Sequence, residues 1–181
     1  MQRALEHGIE VLARLLDQAG IGYQVVPHAP TFRAVDEAAA GHAEARYTAK
    51  TVVLHDRDGL RVAVIPADCR LDLARTRRLL GASRHLRLAT EEEIRDAFPQ
   101  FDCGALPPLG LPLPEVIDVE LIFLRGILCA GGDHQHSIRL DPRDLVRFAE
   151  PRVGAISTLE DASPQRFAAA GGDRARRPLF A

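Results

Sequence analysis

The chain has 181 residues, 46% of them hydrophobic and 27% charged, with a formal charge of −2 and an isoelectric point near 6.4. That is enough apolar material for one domain with a real core, but not comfortably for two. The near-neutral charge excludes a broadly basic protein that holds nucleic acid mainly by neutralising many phosphates, although not contact with one short nucleic-acid end.

Leu5, Ile9, Leu12 and Leu16 recur at helical spacing and predict a first helix closed by Gly20. Tyr23 to Val26 reads as a strand stopped by Pro27, and Thr31 as the cap of a short helix through Ala34 to Ala40, ended by Gly41. Two β-branched runs, Lys50 to His55 and Arg61 to Ile65, flank Asp56-Arg57-Asp58-Gly59 and predict a hairpin, because Asp-Gly tolerates positive φ. Asp72 caps a helix over Leu73 to Leu80 that Gly81 closes. His85 to Leu88 reads as a short strand, and Thr90 with Glu93 forms a capping box for a helix ended at Pro99. Val116 to Val119, Ile127 to Ala130 and His136 to Leu140 are further strands, and Asp141-Pro142 opens a helix toward Phe148. Helices and strands thus mix without a βαβ rhythm. The expected class is α+β, a single domain over residues 1–150 with a mixed, mostly antiparallel sheet curled toward a barrel. From Pro151 the chain turns rich in Ala, Gly, Arg and Pro, so residues 151–181 are expected to form a loosely held tail.

No stretch approaches the roughly 20 uninterrupted apolar residues of a membrane span, and the N-terminus lacks the apolar core of a signal peptide, so a cytoplasmic protein is expected. Cys69, Cys103 and Cys129 are odd in number and scattered, which argues against a disulfide framework or a zinc knuckle.

Lys50 is the sole lysine beside twenty-two arginines. Where arginine serves every solvated positive charge, a retained lysine marks either a position that needs a compact ammonium aimed at one atom or a chance survivor on a strand end. The loop Gly104-Ala105-Leu106-Pro107-Pro108-Leu109-Gly110 combines glycine freedom with proline stiffness. It can be a rigid surface turn, or it can present backbone N–H groups to a carbonyl or a water. In Gly131-Gly132-Asp133-His134-Gln135-His136 the two histidines would share a face if the segment is a strand. They could then hold a metal, but a third ligand would have to come from elsewhere, and hydrogen-bonding or core histidines are commoner. There is no GxSxG elbow, Walker loop, GxGxxG or Cys beside an evident His base, so covalent or nucleotide-driven chemistry has no support.

His28-Ala29-Pro30-Thr31, Ala49-Lys50-Thr51-Val52-Val53-Leu54, Pro66-Ala67-Asp68 leading to Leu71-Asp72-Leu73, the Gly104 to Gly110 loop, Val116-Ile117-Asp118 and Ala130-Gly131-Gly132 occur in this order. Over residues 20 to 150 the chain resembles the YbaK / prolyl-tRNA synthetase editing-domain family. The resemblance implies a mixed β-barrel-like sheet surrounded by helices, and a free-standing deacylase that cleaves the ester of a mischarged aminoacyl-tRNA without a cofactor or metal. Its implied partners are the 3′ acceptor end of the tRNA and a synthetase that supplies further affinity, not a membrane or DNA.

By position, Lys50 matches the family's essential lysine, which holds the 3′-terminal nucleotide through a phosphate or ribose oxygen. Gly104, Pro108 and Gly110 match the loop that lines the aminoacyl pocket, with Gly104 grouped with Lys50 as catalytic. His28, Thr31, Thr51, Asp118, Gly132 and His134 are the remaining substrate-binding candidates. For three of them a structural role competes: Thr31 as helix cap, His28 as a satisfied buried histidine, Asp118 as a structural acceptor. Much of the reaction in this family is substrate-assisted, which fits the lack of a protein triad. Thr51 stands where some alanine-directed members carry asparagine, leaving cysteine, alanine and other small residues open as the edited amino acid. Two rival readings remain: a non-catalytic aminoacyl or nucleotide binder of the same fold, and a metal hydrolase built on His134 and His136.

Overall fold

In the computed structural model, residues 6–113 and 115–160 are described. The first helix, α1 (Ile9–Ala19), ends at Gly20 in the left-handed region, and β1 (Tyr23–Pro27) follows. β1 is the outermost strand of its sheet, which is why it accommodates a proline that can donate no ladder bond. α2 (Ala34–Ala40) starts at Arg33 with no side-chain cap, so Thr31 does not cap it. β2 (Thr48–Asp56) and β3 (Gly59–Pro66) form the expected hairpin, in register from Asp56↔Gly59 to Ala49↔Pro66. Next come β4 (Cys69–Leu71), α3 (Leu73–Leu80), β5 (Arg87–Leu88) and α4 (Glu91–Ala97). Asp72 caps α3 through the Ala74 and Arg75 amides, and Thr90 with Glu93 closes both bonds of the capping box of α4.

The second half holds β6 (Glu115–Asp118), α5 (Val119–Ile122), β7 (Ile127–Asp133), β8 (His136–Leu140), α6 (Pro142–Ala149), β9 (Arg152–Gly154) and β10 (Ser157–Leu159). The main sheet runs β1-β8-β7-β2-β3-β6-β9, with β5 added to β2; β10 pairs with β4 in a small second sheet. Ladders β2–β7, β3–β6 and β6–β9 are parallel and the others antiparallel, which gives the expected mixed, mostly antiparallel α+β class. Among the described residues no ladder joins β1 to β9, so hydrogen bonds do not close the barrel.

Two short strands follow residue 150, the expected end of the domain. Residues 152–154 extend the main sheet, and residues 157–159 pair with Leu71, Arg70 and Cys69. These strands are only three residues long, too short for an alternating pattern to show. Residues 161–181, the rest of the expected tail, lie outside the described residues.

The sheet is covered on both faces, and two apolar clusters result. Ala49, Val53, Val62, Val64, Ile117 and Cys129 pack with α1, α6 and Phe98 to Leu111 on one face. Leu54, Ala63, Ile65 and Val116 pack with Leu80 and Ile156 on the other. This explains why Val62 to Pro66 is buried without alternation. Among the described residues no helix is long and apolar enough to cross a membrane.

Candidate active site

Strand alternation decides which neighbours share a face. Ala49 and Val53 belong to the α1 cluster while Val52 and Leu54 pack on the opposite side, so Lys50 projects away from α1 and Thr51 projects toward it. On β7, Cys129 is the register partner of Ala49, which puts Ala130 on the Lys50 face. Ala130 pairs in turn with Ser137 on β8, and Ser137 with Val26 on β1. A row Lys50, Ala130, Ser137 therefore crosses three strands on one face, and β1 runs on along it to His28. The β2–β7 ladder is short, pairing only Thr48 with Leu128 and Ala49 with Cys129. Beyond it β7 bulges between Ala130 and Asp133, so the two strands part beside Lys50.

The turn between β7 and β8 carries His134, which lies outside either strand and therefore does not alternate with His136. Its geometry is over-determined. Asp133 accepts bonds from the Gln135 amide at 2.8 Å, the Ile9 amide at 3.1 Å and the His136 ring at 2.8 Å. Burial would raise the Asp133 carboxyl, but these donors outweigh it and hold it below its ordinary value. Gly132 has φ +97°, and a Cβ there would stand 2.6 Å from Phe101 Cδ1 and 3.0 Å from the Gly8 carbonyl carbon, so only glycine fits. Its carbonyl accepts from the Asp102 amide.

The segment after β1 clamps this turn. The His28 amide donates to Gln135 O and the Thr31 amide to His134 O, each at 2.9 Å. His134 Nδ1 lies 2.8 Å from Thr31 O. A carbonyl only accepts, so Nδ1 carries the hydrogen and Nε2 is left as the ring atom available to a ligand. The ring of Phe32, itself 72% exposed, lies 4.6 Å from that of His134. Gly104, at φ +91°, borders the opposite edge, where a Cβ would sit 3.7 Å from His134 Cε1. His28 Nε2 is 2.9 Å from Ser137 Oγ, which is 2.6 Å from Oε1 of the buried Glu37 on α2. Desolvation raises the Glu37 carboxyl above its ordinary value, although the Ser137 bond and the nearby His28 and His134 pull the other way.

Lys50 Nζ donates to Ala67 O at 3.2 Å and stands 3.7 Å from Glu160 Oε1; its side chain is 26% exposed. Thr51, expected at the substrate, instead faces the α1 core, where its hydroxyl is buried with no hydrogen-bond partner among the described residues. Asp118, also expected there, serves the fold. It accepts from the Glu120 amide as the cap of α5 and from the Ile156 amide and Ser157 hydroxyl, tying β10 to β6. Within the glycine-proline loop, Pro108 is buried, and Gly110 packs on Leu15 beside a cleft of about 440 Å³ shared with Leu111 and Phe148. Contacts thus gather His28, Thr31, Gly104, Gly132 and His134, while Lys50, bonded to Ala67 O and paired with Glu160, shares with them only the sheet face of Ala130 and Ser137. His136 is engaged with Asp133, and among the described residues no three His, Cys, Asp or Glu side chains converge to hold a metal.

Phe32, Glu37, Ser137 and Glu160 were not singled out by sequence reasoning. Glu37 reads there as an ordinary first-turn acid of α2, and Ser137 as a small residue inside a strand. Only the register of β7, β8 and β1 reveals them.

The candidate site thus combines an open mixed sheet, the Lys50 ammonium on one face and a glycine-bordered histidine turn. The chain matches the family model of the aminoacyl-tRNA editing domain over residues 28–148, and it belongs to that family. It is 32% identical over 116 residues to the proline–tRNA ligase of Heliobacterium modesticaldum, a match that takes in 62% of this chain and 20% of that enzyme. The chain thus spans about a fifth of the length of that curated relative. A solved structure described as a candidate trans-editing enzyme for prolyl tRNA synthetase superposes with a TM-score of 0.72 at 29% identity, covering 81% of this chain and 96% of that one. A hypothetical protein of known structure, 24% identical with a TM-score of 0.75 over 81% and 99% of the two chains, shares the fold.

Proposed function

We propose that this chain hydrolyses, in trans, the ester of a mischarged aminoacyl-tRNA, with tRNAPro carrying cysteine or alanine as the expected substrate. Lys50 holds a phosphate or ribose oxygen of the 3′-terminal nucleotide, a task suited to a compact charged donor on a rigid strand. The aminoacyl group lies toward the turn of Gly132 and His134, bordered by Gly104, His28 and Thr31. Water attacks the ester carbonyl, the bond to the ribose oxygen breaks, and that oxygen leaves with a proton; a tRNA hydroxyl or the substrate's own side chain assists. No protein nucleophile is required.

The observation that carries this reading is the row Lys50, Ala130, Ser137 on one sheet face beside the His134 turn, in a chain of the editing family. A small residue between two polar ones leaves room for a small side chain and little more. The test is deacylation of Cys-, Ala-, Ser- and Thr-charged tRNAPro by the purified protein, with and without prolyl-tRNA synthetase. Hydrolysis of one or two of these and not of Pro-tRNAPro supports the proposal. Saturable binding of an aminoacyl-adenosine analogue with no hydrolysis under either condition replaces it with a non-catalytic binder.

A further inference from the structure

Glu37, Ser137 and His28 are linked in a line that ends on the clamp holding His134, and Glu37 has no role among those assigned above. Glu37 and Ser137 are 8% and 0% exposed, so neither meets a substrate directly. His28 has both ring nitrogens engaged, Nε2 with Ser137 Oγ at 2.9 Å and Nδ1 with Ala29 O at 2.8 Å. Ala29 O can only accept, so Nδ1 carries a hydrogen in every arrangement.

Two proton arrangements then satisfy all the contacts. In one, an ionised Glu37 accepts from the Ser137 hydroxyl, and Ser137 accepts from Nε2–H of a His28 imidazolium. In the other, a neutral Glu37 donates to Ser137 Oγ, and the Ser137 hydroxyl donates to the bare Nε2 of a neutral His28. Each arrangement holds three protons on Glu37, Ser137 and the two His28 nitrogens and is neutral overall. They interconvert when the Nε2 proton passes to Ser137 and the Ser137 proton passes to Glu37. Burial of the Glu37 carboxyl favours the second arrangement, while the Ser137 bond and the nearby His28 and His134 favour the first.

We infer that Glu37, acting through Ser137, is a positioning residue for the editing site. Through Ser137 it holds the His28 ring and so pins the 28–31 segment, whose Thr31 carbonyl accepts from His134 Nδ1. The functional half of this inference rests on the deacylase reading. The consequence is that Nε2 is the His134 ring atom left to face the substrate. Without this link, the chain between Pro27 and α2 loses its anchor to the buried Ser137, and the His134 ring its fixed acceptor.

The test combines 15N spectra of the histidine side chains with single-turnover deacylation, on the full chain, for Ser137→Ala, Glu37→Ala and Glu37→Gln. The native protein is expected to show a hydrogen on Nδ1 of both His28 and His134. Ser137→Ala and Glu37→Ala should shift the His28 Nε2 resonance and slow the deacylation step at least tenfold, with the concentration for half-maximal rate within about twofold. Glu37→Gln, which can still donate to Ser137, should restore both the spectrum and most of the rate that Glu37→Ala loses. An unchanged His28 spectrum in Ser137→Ala overturns the inference. So does an altered spectrum with a rate within twofold of native. A native protein that hydrolyses no charged tRNA sinks the deacylase reading, while the spectra still decide whether the link between Glu37 and His28 exists.

Discussion

Lys50 and Ser137 lie two strands apart on the same face of the sheet, with only the methyl group of Ala130 between them. The β2–β7 ladder ends at Ala49, so the two strands part beside Lys50, and Ala130 forms a low floor next to it. A methyl group there leaves space above the sheet that a larger side chain would fill.

Filling that floor should therefore block the site without unfolding the protein. Ala130→Val keeps a β-compatible side chain at a site of 9% exposure. It is expected to lower kcat/KM for deacylation at least tenfold while the melting temperature moves by only a few degrees. Undiminished activity would remove Ala130 from the site.

Glu160 stands 3.7 Å from Lys50 and 3.6 Å from Arg70, so its carboxylate occupies the neighbourhood a nucleotide oxygen would enter. A half-exposed pair of this kind is worth up to about 1 kcal/mol. Glu160→Gln is therefore expected to lower the KM for charged tRNA by up to about fivefold, most clearly at low salt. A rise in KM would mean that Glu160 orients Lys50 instead of competing for it.

The Thr51 hydroxyl is buried with no partner among the described residues, and an unsatisfied buried hydroxyl costs a fold about 1–3 kcal/mol. Thr51→Val, of nearly the same shape, should raise the unfolding free energy by about 1 kcal/mol in urea titration and leave deacylation within twofold. Lost activity would show that the hydroxyl reaches the substrate.

Two carboxyls should shape the pH dependence of stability in opposite directions. Bonds from the Ser83 hydroxyl and amide, with smaller help from Arg57 and Arg61, hold Asp56 down at about 2 against an ordinary value of 3.8. Its contribution is complete above pH 4 and fades as pH falls toward 2, so Asp56→Asn should flatten that acid limb. Burial pushes Glu115 up to about 8 from 4.5, so the folded chain keeps a proton that the unfolded chain has lost. Stability should then fall as pH rises from 4.5 to 8, by at most about 1.4 kcal/mol per unit. Glu115→Gln should remove that decline in urea titrations run from pH 5 to 9. An unaltered slope would contradict the assignment.

Much of the fold was legible because its punctuation is local. Gly20, Gly81, Asp72, the Thr90–Glu93 box, Asp141-Pro142 and the Asp56 to Gly59 turn each specify their backbone by their own chemistry. Strands β4, β9 and β10 were not legible, since three residues carry no period and their pairing is set by distant partners. Lys50 stood out as the only lysine, and its strand was predicted, but its face was not. The face depends on β2 lying beside β7, a parallel pairing between segments nearly eighty residues apart. The same long-range register separates Thr51 from Lys50, withdraws Asp118 into the β6–β10 junction, and assembles Glu37, Ser137 and His28.

The account turns on the Lys50 ammonium, and single-turnover deacylation by Lys50→Ala and Lys50→Arg tests it most directly, using whichever mischarged tRNA the native protein hydrolyses. With its side chain partly exposed and making one carbonyl bond and one ion pair, Lys50 should be replaceable at a stability cost of about 1 kcal/mol or less. The account predicts at least a hundredfold loss in kcat/KM for Lys50→Ala, with a melting curve close to native, and little rescue by the bulkier, planar guanidinium of Lys50→Arg. Deacylation by Lys50→Ala within a few-fold of native would contradict it.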